Sequence, residues 1–180
     1  MSNTKPTSEE NESAGHEPKA SRPYMPGYGI KAPDEAEGLL PWSWAVERLT
    51  ISHGFWLSTV RIDGRPHCMP VWGVWINNRF LFSTGAQSRK AQNISANPKC
   101  VVSTDRVDQA VVVEGAVREA AEPTLIREFC RAYQEKYKWD MSDFKEPVFA
   151  VSPSTVFAIT ESAGEYSFTG SATRWKFSGA

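Results

Sequence analysis

Two tight-turn pairs constrain the fold of this chain more than any other feature. Asp63-Gly64 and Asn77-Asn78 each separate runs rich in β-branched and aromatic side chains, which predicts strands joined as hairpins. Gly115 interrupts a later strand and indicates a bulge or a sharp bend. Strands are predicted over residues 55–62, 67–76, 79–84, 99–105, 109–120 and 148–160, and residues 165–170 are predicted to be short and extended.

Most of these strands follow one another as hairpins, and helical periodicity appears only before the first strand, after the third and before the last, so the βαβ order of a parallel sheet is missing. Helices are predicted over residues 42–52, 88–96 and 123–139. In the longest one, Ile126, Phe129, Tyr133 and Tyr137 form a single apolar stripe. The predicted fold class is therefore mainly β with α, a small antiparallel barrel of six or seven strands with flanking helices.

Composition divides the chain into three parts. Residues 1–22 are rich in Ser, Glu, Asn, Lys and Pro and are predicted to be a disordered tail. Residues 23–41 mix aromatic residues with Pro and Gly and are predicted to be an extended arm. Residues 42–180 remain for one domain, and a hydrophobic content of 41% suits a packed core. The first residues lack the apolar core of a secretory signal, which predicts a cytoplasmic location.

The charge balance excludes several classes of partner. With 20 basic and 21 acidic residues, the net charge of -1 predicts no general attraction to nucleic acid or to an anionic membrane. No apolar run approaches the ~20 residues of a membrane span.

Cys68, Cys100 and Cys130 are widely spaced without a CxxC pair, so reduced thiols are expected. No motif predicts a metal site or a catalytic triad.

The stretch FSTGAQSRKAQNIS combines the groups that bind a phosphate. Ser83 and Thr84 end a strand, and Ser88, Arg89 and Lys90 enter a helix a few residues later. Two cations oppose the partial positive charge of a helix N-terminus, and an anion between them would relieve that conflict. Arg and Lys would add charge-assisted hydrogen bonds. The alternative is a pair of solvated surface cations.

Two further segments carry candidate ligand-binding side chains. His67 follows a turn and precedes apolar residues 69–72, which suit either a wall for a flat aromatic ligand or the core. A lone His is more often structural than functional. Residues 173–177, TRWKF, offer Arg174 to a ligand, or else form a hydrophobic clasp on the barrel.

The order of the segments DGRPHCMPVW, FSTGAQSRKAQNISANP, VVVEGAV and TRWKF resembles that of the pyridoxamine 5′-phosphate oxidase-like flavin-binding split barrels. It is most similar to their deazaflavin-dependent branch, which uses coenzyme F420. The resemblance covers residues 42–177. It implies a six-stranded split barrel that forms a homodimer, with two cofactors bound across the interface.

The resemblance also implies a set of cofactor-binding residues. The strand end and the helix start would hold the cofactor phosphate, the segment around His67 would lie along the ring system, and the last strand would approach from the second subunit. The strand that begins with Gln109 would add a polar contact. The implied cofactor-binding residues are His67, Pro70, Val71, Trp72, Ser83, Thr84, Ser88, Arg89, Lys90, Gln109, Arg174 and Trp175.

The implied function is that of an oxidoreductase, most similar to a reductase, that transfers a hydride between F420 or FMN and a small conjugated organic substrate. The cofactor would supply the chemistry, so no catalytic side chain is expected. Met69 replaces an Arg of the true oxidases, and their extended C-terminal section is absent, so pyridoxamine-phosphate oxidase activity itself is not expected. F420 is favoured over FMN. The alternatives are a non-catalytic protein that binds flavin, deazaflavin or haem, and a structural dimer with an empty site.

Overall fold

The computed structural model describes residues 17–30, 32, 35–163 and 166–177 of the 180-residue chain. Most of the predicted tail, residues 1–16, therefore lies outside the described residues. The strands are β1 (Ala20–Ser21), β2 (Phe55–Val60), β3 (Pro66–Val71), β4 (Gly73–Ile76), β5 (Arg79–Ser83), β6 (Lys99–Thr104), β7 (Gln109–Glu119), β8 (Val148–Thr160), β9 (Ser162–Ala163), β10 (Tyr166–Ser167) and β11 (Thr173–Lys176). The helices are α1 (Trp42–Ile51), α2 (Arg89–Ala96), α3 (Pro123–Tyr137) and α4 (Phe168–Ser171).

The main sheet curls around the long strand β8. One edge of β8 pairs with β7 along its whole length, while its other edge pairs first with β5 and then with β11. Antiparallel pairing continues from β7 through β6 and β2 to β3, and from β5 to β4. The pairing therefore runs through seven strands, from β4 around to β3. Because only Trp72 separates β3 from β4, these two count as one interrupted strand of a six-stranded barrel. The structure confirms the predicted class, an antiparallel split barrel with flanking helices.

Local sequence explains the turns and the bend of the barrel. Asn77 and Asn78 adopt φ angles of 50° and 56°, as a tight hairpin turn requires. The register between β7 and β8 shifts at Glu114/Gly115, which confirms the predicted bulge. A Cβ atom on Gly115 would lie 2.2 Å from the carbonyl oxygen of Ser152, so only glycine fits there.

The predicted strand over 67–76 is not continuous, and the structure corrects it to two strands. The chain kinks at Trp72, and the side chain of Tyr137 in α3 satisfies the backbone polar groups that the kink releases. The amide of Gly73 donates to Tyr137 Oη at 2.9 Å, and that hydroxyl donates to the Gly73 carbonyl at 2.8 Å. Lys136 Nζ donates to the same carbonyl at 3.1 Å.

Two hydrophobic clusters hold the elements together. The first fills the barrel and extends under α1; its largest fully buried members are Leu40, Leu49, Phe55, Leu57, Phe80, Phe82 and Trp175. The second lies between the barrel wall and α3, where Phe129 is fully buried and Ile126, Tyr133 and Tyr137 pack beside it. The predicted apolar stripe of α3 therefore faces the barrel. No helix in the described ranges combines the length and hydropathy needed to cross a membrane.

The end of the predicted tail is ordered, which is a second correction. Ala20 and Ser21 pair with Trp175 and Arg174 of β11. Arg22 is buried, and its guanidinium donates to the carbonyl oxygens of Glu35, Glu37, Gly170 and Ala172. We call residues 20–22 the N-terminal strap. A third correction concerns residues 165–170, because residues 168–171 form the short helix α4 rather than extended chain.

Candidate cofactor site

The N-terminus of α2 presents unpaired donors. Ser88 caps the helix, since its Oγ accepts from the amide of Ala91 at 3.1 Å and from Thr84 Oγ1 at 3.0 Å. The amides of Arg89 and Lys90 make no hydrogen bond to any described residue. Both residues reach the surface, since Arg89 is exposed and Lys90 is half-buried. The helix start therefore combines two free amides, two cations and two hydroxyls.

Two more basic side chains lie beside this helix start. Burial and then the charges of Arg61, Lys90 and Arg89 lower the pKa of His67, so the three cations act on one imidazole. Arg61 Nε is buried and has no hydrogen-bond partner among the residues that the structure describes. Within the described ranges, no carboxylate lies within ion-pair distance of Arg61, Arg89 or Lys90. We call Arg61, His67, Arg89 and Lys90 the cation cluster.

A buried polar network fixes the imidazole relative to α2. Asn93 Nδ2 donates to Thr59 Oγ1 at 2.9 Å, and that hydroxyl lies 3.5 Å from His67 Nδ1. Asn93 and Thr59 are both almost fully buried. Because the three residues belong to α2, β2 and β3, the network ties the helix to β3, which carries His67, and to β2, which Arg61 directly follows.

The sequence did not reveal three members of this arrangement. Asn93 follows Arg89 by one helical turn, so the i, i+4 spacing was a usable signal for a shared face. Arg61 precedes the Asp63-Gly64 turn and opposes Arg65 across it, where an exposed cation is the usual expectation. Thr59 gave no signal, because a β-branched residue in a strand is ordinary.

The donor set fits the phosphate of a cofactor. The helix start supplies ammonium, guanidinium, amide and hydroxyl donors, and the charges of Arg61, Arg89 and Lys90 all act on His67. None of these three cations forms an ion pair with a described carboxylate, and an anion is the partner that such donors favour. Ser83 is less available, because its hydroxyl donates to the Pro147 carbonyl at 2.9 Å. No described group of three His, Cys, Asp or Glu side chains is suitable for a metal ion.

The strand β3 offers an open edge next to the cation cluster. It pairs with β2 on one side and ends the main sheet on the other. Pro70 is exposed, and Trp72 is 41% exposed and stacks on Tyr137. The side chain of Val71 is instead buried in the core, so only its backbone faces the edge.

One row of side chains crosses the outer face of the sheet. Its members are cross-strand neighbours. All but Pro70 lie between buried residues of their own strand, and Pro70 is itself exposed beside the buried Val71, so the row points away from the core. We call this set the outer row: Pro70, Trp56, Ser103, Val112, Phe157 and Arg174. Pro70 and Arg174 occupy its two ends, five strand spacings apart, which is roughly 24 Å measured along the curved sheet. These two predicted site residues therefore do not meet within one chain.

Two other predicted residues lie away from the cation cluster. Gln109 begins β7, and its Oε1 accepts from Arg48 Nε at 3.2 Å. Trp175 has no exposed surface, and its indole packs 5.3 Å from that of Trp42. A fully buried indole has no atoms to offer a ligand, so the expected ligand contact of Trp175 is corrected to a role in the core.

Comparison with known proteins identifies the architecture. The family model of pyridoxamine 5′-phosphate oxidase matches residues 45–163. None of the curated proteins matches the sequence. Among solved structures, a conserved hypothetical protein from Mycobacterium tuberculosis aligns with a TM-score of 0.58 and 20% identity, over 66% of this chain and 84% of its own.

Two further structures with stated functions share the fold. An F420 reductase aligns with a TM-score of 0.51 and 23% identity, over 61% of this chain and 93% of its own. A heme binding protein from Mycobacterium smegmatis aligns with a TM-score of 0.53 and 13% identity, over 72% of this chain and 55% of its own. At these identities the likeness extends to the fold and not to the activity.

Proposed function

The chain belongs to the pyridoxamine 5′-phosphate oxidase family, and on that premise we propose that it is an oxidoreductase that uses coenzyme F420 or FMN. The proposed reaction is hydride transfer between that cofactor and a small conjugated organic substrate, in the direction of substrate reduction. The observation that supports this most is the cation cluster, in which the Nε of Arg61 has no hydrogen-bond partner among the described residues. The bound cofactor supplies the redox chemistry at its ring.

The residues of the chain have distinct tasks in this proposal. Arg61, Arg89, Lys90 and the helix amides bind the phosphate, while Ser88 and Thr84 shape the helix start. The edge of β3 from His67 to Trp72 supports the rest of the cofactor. F420 is favoured because the segments PHCMPVW and TRWKF resemble the deazaflavin branch, and the fold likeness to an F420 reductase agrees with that choice.

We further propose a homodimer in which the outer row is covered by a second copy. The row is mostly apolar and exposes Trp56 and Pro70, and a patch of this kind is typical of an interface. In a two-fold interface the same patch faces itself. Arg174 of one subunit is then able to approach the β3 edge of the other subunit. Within one chain, Arg174 lies too far from β3 for such a contact.

The proposal excludes the oxidase reaction that names the family. Met69 occupies the position of the Arg that true oxidases have in this strand, and its thioether is neutral. A substrate phosphate would therefore lack that positive partner on β3.

A titration of FMN and F420 side by side, followed through their absorption bands, tests the proposal. The variant R89E/K90E should lower cofactor affinity by at least ~100-fold, because two cations become anions beside the phosphate. The variant R127E/R131E makes the same change of charge on the exposed side of α3 and should leave the affinity unchanged. Equal affinities for the two variants would refute the phosphate site.

A non-catalytic carrier is the second candidate, and the fold likeness to a heme binding protein favours it. Bound F420 or FMN that passes no hydride to any quinone, nitro compound or enone would support the carrier. Haem binding with no affinity for either flavin would do so as well.

A further inference from the structure

A cluster of aromatic side chains lies where β3 bends into β4, and the proposed cofactor site uses only one member of it. We call His53, Trp72, Tyr137 and Trp139 the aromatic corner. We propose that this corner, with the cavity beside it, binds the substrate, and that the substrate is a small planar conjugated ring with a polar substituent. The inference rests on the proposed function, and it specifies the class of substrate that the proposed oxidoreductase would reduce.

The rings of the corner suit a flat ligand. Trp72 stacks on Tyr137 with centroids 4.7 Å apart and an interplanar angle of 4°. His53 lies 5.7 Å from Trp72 at 67°, and Trp139 lies 6.4 Å from it at 75°, so both stand nearly perpendicular to it. Aromatic pairs favour offset-stacked and edge-to-face contacts, and a planar ligand can make both here.

The corner is rigid on one side and open on the other. The hydroxyl of Tyr137 is held by both backbone groups of Gly73, so the ring behind Trp72 is fixed. Trp139 is 61% exposed and His53 is also exposed. Exposed indoles beside a fixed stack leave apolar surface in water, and a bound ring would cover it.

A small polar cavity adjoins the corner and shares His53 with it. Its volume is about 250 Å³, and Arg48, Asp105, Arg106 and Gln109 line it. Typical sites for drug-sized ligands are larger, roughly 300–1,000 Å³, which favours a small substituent. The guanidinium, carboxylate and amide groups provide both donors and acceptors, so they select a ring that carries a polar group. A protein partner would need a broader apolar surface.

The position along β3 connects the corner to the cofactor site. Trp72 follows His67 by five residues, which corresponds to roughly 17 Å along a strand. A tricyclic ring joined to a phosphate through a five-carbon chain is of comparable length. A cofactor with its phosphate at the cation cluster would therefore end beside the corner, where a hydride acceptor has to lie.

Equilibrium dialysis of 2-hydroxy-1,4-naphthoquinone, a planar quinone with an ionisable hydroxyl, tests the inference. The full chain is dialysed with and without saturating cofactor. The variants W139A and H53A should each weaken quinone binding by ~10-fold, since each removes one wall of the corner. Tyr28 is as exposed as Trp139, at 61%, and lies in the arm, so Y28A should bind the quinone like the wild type.

Affinity for F420 and FMN, measured by absorption titration, separates this inference from the proposed function. Unchanged cofactor affinity with weakened quinone binding in W139A and H53A supports the corner. Wild-type quinone binding in both variants overturns it while the cofactor proposal stands. A wild-type chain that binds no quinone in either state also overturns it. So does a W139A variant that loses self-association but keeps quinone binding, because the corner would then be a protein interface.

Discussion

Arg61 is the residue whose surroundings point most directly to a ligand. Its buried guanidinium nitrogen finds no acceptor in the described part of the chain, and burying such a group unpaired is costly. The variant R61Q should weaken F420 or FMN binding by ~10- to 100-fold, as a hydrogen bond to a charged group contributes about 1.5–3 kcal/mol. Absorption titration measures the loss. Arg65 lies on the same hairpin but pairs with Asp63, so R65Q should bind like the wild type. Equal losses in both variants would point to general charge rather than a defined contact.

The pH dependence of binding should report on His67. Burial and three neighbouring cations lower its pKa, so the imidazole is neutral in the free protein near pH 7. An anion at the cation cluster favours the imidazolium, and cofactor binding therefore takes up a proton. The dissociation constant should fall as pH falls from 8 toward 6, and H67Q should remove that part of the profile. The same profile in both proteins would exclude His67 as a neighbour of the anion.

The lowered pKa of His67 also has a consequence for stability. The unfolded chain binds a proton at His67 more readily than the folded chain, so stability rises with pH and is lost as pH falls through the usual range near 6.5. In H67Q that part of the acid sensitivity should disappear in urea titrations performed at pH 5 and pH 7.5. A saturating anion should reduce it in the wild type.

Among the elements, the β3–β4 kink leaves the amide of Gly73 dependent on a single hydroxyl of α3. Y137F keeps the ring stacked on Trp72 but leaves the amide of Gly73 without its partner, so the free energy of unfolding should fall by about 1–3 kcal/mol. Urea denaturation measures the change. Tyr133 packs in the same helix, and its hydroxyl bonds to no described residue, so Y133F should change stability by less than ~0.5 kcal/mol. A similar loss in Y133F would assign the effect to ring packing.

Whether a feature of the fold could be predicted depends on how far apart in the sequence the interacting residues lie. The Asn77-Asn78 turn, the bulge at Gly115 and the start of α2 were predictable, because local backbone chemistry decides each of them. The kink at Trp72 was not, since Tyr137 stabilises it from 64 positions away in the sequence. The strap was missed for the same reason, as a Ser- and Lys-rich composition gives no sign of a distant strand.

The same distinction applies to the candidate site. Arg89 and Lys90 were predictable because their helix and its cap are contiguous in sequence. Arg61 and Thr59 joined them only through the pairing of β2 with β3 and the packing of α2 on β2. Strand pairing places Pro70 and Arg174 at opposite ends of the outer row. No local sequence pattern predicts which strands pair, so this separation could not be predicted.

At the scale of the whole molecule, the outer row makes self-association the natural expectation. Sedimentation equilibrium should give a mass of twice 20.1 kDa, and V112E, at the middle of the row, should give a monomer of reduced cofactor affinity. V107E introduces the same charge at a fully exposed loop residue and should remain a dimer. A wild-type monomer that binds cofactor normally would remove the interface proposal and leave the cation cluster intact.

The N-terminal strap has a consequence for how the chain reaches this structure. Ser21 and Arg174, which meet at the strand edge, are 153 positions apart, so the strap has no strand partner until nearly all of the chain has been synthesised. Closing so long a loop is slow relative to forming hairpins. On the ribosome, the strap therefore emerges long before its strand partner, and Arg22 can bond to the carbonyls of Glu35 and Glu37 well before those of Gly170 and Ala172 are synthesised.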